Sequence, residues 1–209
     1  MDELAQKIAN IRQPWVGSPY YDNAEKWTYL FWDAGTLPRT FFDRLDLGDV
    51  IELACGYGRH AERAAPLART LVLIDVIAEN LDVCRARLAQ HSHLTCVLGD
   101  GQGFTGTADA SVDAIYCYDA MVHFDPDIID SYLRDTARVL RPGGKALFHH
   151  SNYAAGKGRS WGQNPHARNY MTQELFAQMA RAQGLAVSTQ QVMDWGGVKD
   201  LDCLTLLER

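Results

Sequence analysis

Two apolar patterns near the end of the chain, LAVSTQQVMDW (185–195) and DLDCLTLLER (200–209), are separated only by Gly196-Gly197-Val198-Lys199. Both read as strands. A parallel crossover needs a dozen or more residues, so these two must pair antiparallel. The chain upstream reads differently. Short apolar runs alternate with helical patterns: DVIELA (49–54), TLVLIDV (70–76), LTCVLGD (94–100), VDAIYCY (112–118) and KALFHHS (145–151). Such alternation specifies a parallel sheet with crossover helices. The expected fold is therefore α/β: a doubly wound, seven-stranded, mostly parallel sheet with an antiparallel last strand.

Local signals place the helices. One is expected from about Arg59 to Leu67. A second, amphipathic, puts Leu81, Cys84 and Leu88 on one face. A third starts with Asp125 as N-cap and Pro126 at the first helical position, and ends near Leu140, before Arg141-Pro142-Gly143-Gly144. A fourth runs from Thr172 to about Gln183, with Gly184 as its stop. Residues 1–48 read as two or three short helices rich in aromatic residues, a helical cap belonging to the same domain as residues 49–209. Residues 152–171 are too polar and Gly-rich for a strand, and long connections of this kind are often functional.

The 209 residues fit one domain. A formal net charge of −6 argues against a protein that lives on nucleic-acid phosphates. The five cysteines are scattered and form no CxxC pair, as expected of reduced, buried thiols. The opening MDELAQKIANIRQPW is polar and acidic, unlike a signal peptide, so a cytoplasmic setting is expected. No run of eighteen apolar residues occurs, so no membrane span is expected. Nothing in the sequence speaks to oligomeric state.

The strongest local motif is VIELACGYGRHA (50–61), which sets Gly56-x-Gly58 after a strand and before a helix. Glycines there let a ligand approach main-chain N–H groups. Asp75 ends the second strand, where a carboxylate can accept both hydroxyls of a ribose. Asp100, in Gly99-Asp100-Gly101, ends the third, where an acid can take the amine of adenine. Glu52 lies inside the first strand, and a charge there is costly unless paired. Taken singly, each feature also reads as a tight turn or a solvated strand-end acid. Together they mark the C-terminal strand ends, where doubly wound sheets bind ligands.

In order and spacing, ELACGYG, LVLIDV, LGDGQGF, VDAIYCYDAMVHF and VLRPGGKALF resemble the successive motifs of class I S-adenosylmethionine-dependent methyltransferases. The resemblance runs from about Asp49 to Arg209, and the closing hairpin is similar to that Rossmann-like fold's reversed last strand. It implies S-adenosylmethionine as cofactor. Glu52, Ala54, Gly56 and Gly58 would surround its methionine part, Asp75 its ribose, Val76, Asp100 and Gly101 its adenine, and Cys117 and Tyr118 the region near the sulfonium. Tyr20, Tyr21 and Trp27 would close over the site as a lid. His60 reads as a packing or capping residue.

A methyl acceptor with a hydroxyl or ammonium group needs a base. Asp119, His123 and His150 are the candidates. His149 and His150 are adjacent on a strand and point to opposite faces, so at most one meets the acceptor; His150 is preferred as base. FHHSNY supplies histidines where the metal-dependent catechol methylases of this fold carry acids, so no metal is expected. Tyr21, Trp27, His149, His166 and Arg168 are expected to contact the substrate. The implied activity is methyl transfer to oxygen or nitrogen of a small molecule. Missing from the fourth-strand segment is the Asn/Asp-Pro-Pro-Tyr run expected for methylation of DNA base amines. A non-catalytic cofactor-binding module and an NAD(P)-dependent oxidoreductase are the alternatives. Hydride chemistry on this fold gives no reason for an acid at Glu52 or for the C-terminal hairpin.

Overall fold

The computed structural model describes residues 3–209; the first two residues of the expected 1–48 cap lie outside them. The upstream runs form β1 (Asp49–Leu53), β2 (Thr70–Asp75), β3 (Leu94–Leu98), β4 (Val112–Cys117) and β5 (Leu140–Ser151), and the terminal patterns form β6 (Ala186–Trp195) and β7 (Val198–Glu208). They make one sheet in the order β3-β2-β1-β4-β5-β7-β6. β1 to β5 pair in parallel, whereas β7 runs antiparallel to both β5 and β6. The hairpin forced by Gly196-Gly197 thus inserts the last strand inside the sheet rather than at its edge.

Before β1 come α1 (Glu3–Arg12), α2 (Tyr20–Ala24), α3 (Tyr29–Trp32) and α4 (Leu37–Phe42), with short 3-10 turns between them. The crossover helices are α5 (Ala61–Ala64), α6 (Ala78–Arg87), α7 (Pro126–Val139) and α8 (Gln173–Ala182). The Asp125 side chain caps α7 by accepting from Asp127 N, with Pro126 in the first turn as expected. α5 is shorter than its sequence pattern, because Pro66 follows and cannot continue a helix. β5 is longer than its pattern: Arg141-Pro142-Gly143-Gly144 is a bulge within the strand, with Gly143 at φ 81° and its N–H on Arg209 O at 2.8 Å.

Strand side chains alternate into two cores. Ile51, Leu53, Ile115, Cys117 and Phe148 pack with Ile129, Leu133 and Phe176 of α7 and α8. Val50, Leu71, Leu73, Ala114, Tyr116 and Leu147 pack with Phe31, Phe41, Phe42, Leu81 and Cys84. Phe42 is fully buried; truncating a Phe of this kind to Ala costs about 3–5 kcal/mol. The cap is therefore held by its own share of the core. The long connection between β5 and α8 is not structureless, since three 3-10 turns fold it back on itself.

Candidate active site

Beyond the C-terminal ends of β1, β2 and β4 lies a cavity roofed by α1, α2 and the turn between them. Two non-glycine residues in its wall, Ala54 after β1 and Asp119 after β4, adopt left-handed backbone at φ 55° and 59°. Each such residue costs on the order of 1–3 kcal/mol, and strain of this kind clusters at functional sites. Gly56 and Gly101 leave bare backbone against the cap. A Cβ on Gly56 would stand 2.9 Å from the Tyr21 ring, and one on Gly101 would stand 2.6 Å from Ile8.

Asp75 is buried at the end of β2. Its Oδ2 accepts from Gly56 N at 2.9 Å, and its Oδ1 accepts from Ile77 N at 2.9 Å and Asn80 Nδ2 at 3.2 Å. Burial pushes its pKa up, against those hydrogen bonds. Asn80 also donates to the Tyr21 hydroxyl at 3.0 Å, and Tyr21 stacks on Tyr57 with ring centroids 4.6 Å apart. Glu52 accepts from the Tyr116 hydroxyl at 2.6 Å. Burial pushes its carboxyl up to about 8, against the pull of that hydrogen bond. Among the described residues, no cationic side chain forms an ion pair with Glu52.

Asp119 is the hub of a charged network. Its Oδ2 accepts from the Tyr20 hydroxyl and from Arg59 Nη2 at 3.1 Å, and Arg168 Nη2 lies 3.8 Å from Oδ1. Its backbone N–H donates to His149 Nδ1 at 3.1 Å. That bond fixes the proton on His149 Nε2, which donates to Asp202 Oδ2 at 3.0 Å. Arg168 grips the same carboxylate through Nε at 2.9 Å and Nη2 at 2.5 Å. Burial disfavours a charge on Asp202, but His149 and Arg168 outweigh it and hold its pKa near about 2. His123 donates from Nδ1 to Ala167 O at 2.7 Å, and burial lowers its pKa to about 4.

The structure thus gathers Glu52, Ala54, Gly56, Asp75, Val76, Gly101, Tyr118, Asp119, His123 and Tyr21 around one cavity. Other expected residues stand elsewhere. Gly58 faces α6, where a Cβ would meet Cys84 Sγ at 3.1 Å. Asp100 is exposed, and its Oδ1 accepts from Gln102 N within its own turn. Cys117 points into the core behind the sheet. Trp27 is 44% exposed on the outside of the cap. His166 is exposed, with its ring beside Gly196 O. Arg168 is buried and occupied by Asp202, so it holds the network rather than a substrate.

His150 is corrected most plainly. It is fully buried on the α8 side, stacked on Phe176 at 3.8 Å and bonded to Thr205 Oγ1 and Ser151 O. Burial lowers its pKa to about 3. It has no path to the cavity. His149, on the opposite face, does not line the cavity; it supports it through the Asp119 backbone and by stacking on Tyr118. Sequence reasoning passed over Ile8, Arg12, Trp15 and Arg59, all of which line the cavity. The cap residues carry no local motif, whereas Arg59 directly follows Gly58 and was within reach.

Residues 50–144 match the family described as a methyltransferase domain. Nodulation protein S of Rhizobium tropici is 28% identical over 104 residues, spanning 49% of this chain and 42% of that protein. The matches span less than half the length of the curated relatives. In fold, the chain is similar to the methyltransferase in a complex with the Haloferax volcanii Trm112 activator, with TM-score 0.70, 16% identity, and 100% and 98% of the two chains covered. It is also similar to geranyl diphosphate C-methyltransferase from Streptomyces coelicolor A3(2), with TM-score 0.66, 14% identity, and 95% and 86% covered.

Proposed function

We infer that this chain, a class I S-adenosylmethionine-dependent methyltransferase by family and fold, moves a methyl group to oxygen or nitrogen of a small-molecule acceptor inside the cavity. The reading treats residues 1–48 as a cap on a methyltransferase domain of residues 49–209. One observation carries it: an unpaired buried acid, a strand-end acid and two bare glycines share a cavity with a polar centre at Asp119.

The residues fit the cofactor. Glu52 is a carboxyl awaiting a cation, and S-adenosylmethionine carries an ammonium and a sulfonium. Asp75 stands where the ribose hydroxyls would be held, and Gly56 and Gly101 let Tyr21 and Ile8 of the cap close tightly over the cavity. When bound, that cofactor supplies a methyl group already activated by positive sulfur. The chain must align the acceptor and exclude water. Trp15, Tyr20 and Tyr21 of the cap close the cavity from above. Asp119 takes the proton that an acceptor hydroxyl or ammonium must lose. The Tyr20 hydroxyl rests on its carboxylate in the manner that an acceptor hydroxyl would.

The similar C-methyltransferase widens the range of acceptor atoms open to this fold. A carboxylate hub placed to receive a proton favours a protic acceptor here. The net charge of −6 argues against a nucleic-acid partner. No helix among the described residues is long and apolar enough to cross a membrane. Calorimetry with S-adenosylmethionine and with NADH tests the class: binding of the first and not the second is expected. Methyl release from labelled cofactor across a panel of phenols, amines and carboxylates then tests catalysis. Binding without release for every acceptor would favour the non-catalytic module.

A further inference from the structure

Three buried side-chain polar atoms among the described residues lack a hydrogen-bond partner: His60 Nε2, Tyr118 OH and Asn164 Oδ1. Unpaired buried groups are rare, and each calls for an explanation. Both His60 and Tyr118 line the cavity, and both are more than nine-tenths buried. They also flank the reaction centre in the chain. His60 follows Arg59, Tyr118 precedes Asp119, and Arg59 Nη2 bonds to Asp119 Oδ2 at 3.1 Å.

The chemistry of the pair is fixed by its surroundings. Trp32 Nε1 lies 3.0 Å from His60 Nδ1. An indole only donates, so Nδ1 accepts and the ring proton sits on Nε2. Burial, with Arg59 and Arg87 nearby, holds the ring pKa well below its ordinary value, so the imidazole is neutral. His60 is therefore a donor with nothing to donate to. The Tyr118 ring is locked between neighbours, edge-on to His60 at 5.4 Å and to Phe31 at 4.8 Å, and stacked on His149 at 4.7 Å. Its hydroxyl cannot swing away to find a partner, and burial keeps it protonated.

We propose that His60 Nε2–H and the Tyr118 hydroxyl form an acceptor subsite that grips a carbonyl or carboxylate oxygen of an aromatic methyl acceptor, away from the atom that receives the methyl. This deepens the proposed function and rests on it. Glu52, Asp75 and the glycine turn answer the cofactor's polar groups and leave this pair over. A fixed Nε2–H requires a lone pair from its ligand and rejects an ammonium. The aromatic class follows from Trp15 and Tyr20, whose rings line the cap side of the cavity.

The test uses the full chain saturated with S-adenosylhomocysteine and titrated by calorimetry with benzoate, benzamide and benzylamine. Benzoate and benzamide are expected to bind, and benzylamine to bind at least about tenfold more weakly. Tyr118→Phe removes one hydroxyl and keeps the ring; it should weaken benzoate by about tenfold. His60→Gln, which keeps an N–H donor, should retain more benzoate affinity than His60→Ala. In ¹⁵N-labelled protein, the His60 Nε2–H resonance should shift with benzoate and stay put with benzylamine. Failure of benzoate and benzamide to bind, equal affinity for benzylamine, or equal benzoate affinity in Tyr118→Phe overturns the subsite. Failure of S-adenosylhomocysteine itself to bind overturns the underlying function instead, so the two outcomes are separable.

Discussion

The two walls of the cavity treat their polar groups in opposite ways. Asp75 on one wall is saturated by its own chain, with Gly56 N, Ile77 N and Asn80 all on its carboxylate. On the other wall, His60 Nε2 and Tyr118 OH meet nothing. The first wall holds its shape from within, through a turn and a strand end. The second is held by rings that are far apart in the sequence, such as Phe31, Trp32, Tyr118 and His149. A self-bonded wall has a fixed form that any chain of this architecture can reproduce. A wall with open donors is incomplete by itself, and its shape depends on how the cap packs.

Perturbations should separate the two walls by the quantity they change. Asp119→Asn should lower turnover by about 10²–10⁴-fold in a methyl-transfer assay. An undiminished rate would move proton removal to His123 and break the assignment of the hub. Asp202→Ala should cost about 3–5 kcal/mol in urea unfolding, because Arg168 loses its buried counter-charge and His149 Nε2–H its acceptor. A loss below about 1 kcal/mol would mean that the network does not brace the Asp119 wall. Asp75→Ala should weaken cofactor binding by about 10–100-fold in calorimetry. If it weakened acceptor binding equally, the division into two walls would fail.

The smallest effect is a pH slope. In the folded chain the Glu52 carboxyl is pushed up from the ordinary 4.5 to about 8. Between those values the folded state holds a proton that the unfolded state has shed. Stability should therefore fall as pH rises through that window, by at most about 1.4 kcal/mol per pH unit. Glu52→Gln should flatten the slope in thermal or urea unfolding. Binding a cation beside Glu52 should release a proton near neutral pH, seen as a buffer-dependent binding enthalpy.

The sheet was legible because period and spacing carry it. The short separation at Gly196–Lys199 compels an antiparallel pair, which closes as a two-residue turn at Gly196-Gly197, and the strand-end acid Asp75 does lie on the rim of the cavity. The faces of β5 were not legible. Alternation says that His149 and His150 diverge, but which one faces the cavity depends on pairing with β7 and packing under α8. Arg168 carried a charge suited to a substrate, yet its partner Asp202 lies 34 residues away in a strand whose position no local pattern gives. The cap was the least legible part. Tyr21 and Trp27 are equally aromatic, but helix geometry turns one onto Gly56 and the other to solvent.

The bond between Tyr20 and Asp119 joins the roof of the cavity to the group proposed to receive the proton. A carboxylate that has just been protonated loses the negative charge that draws the Tyr20 hydroxyl and the two guanidiniums toward it. On the proposed assignment of Asp119 as base, this contact would be weaker once the carboxyl is protonated than before. If Asp119 is the base, the same carboxylate would couple proton uptake to the contact that holds the roof down.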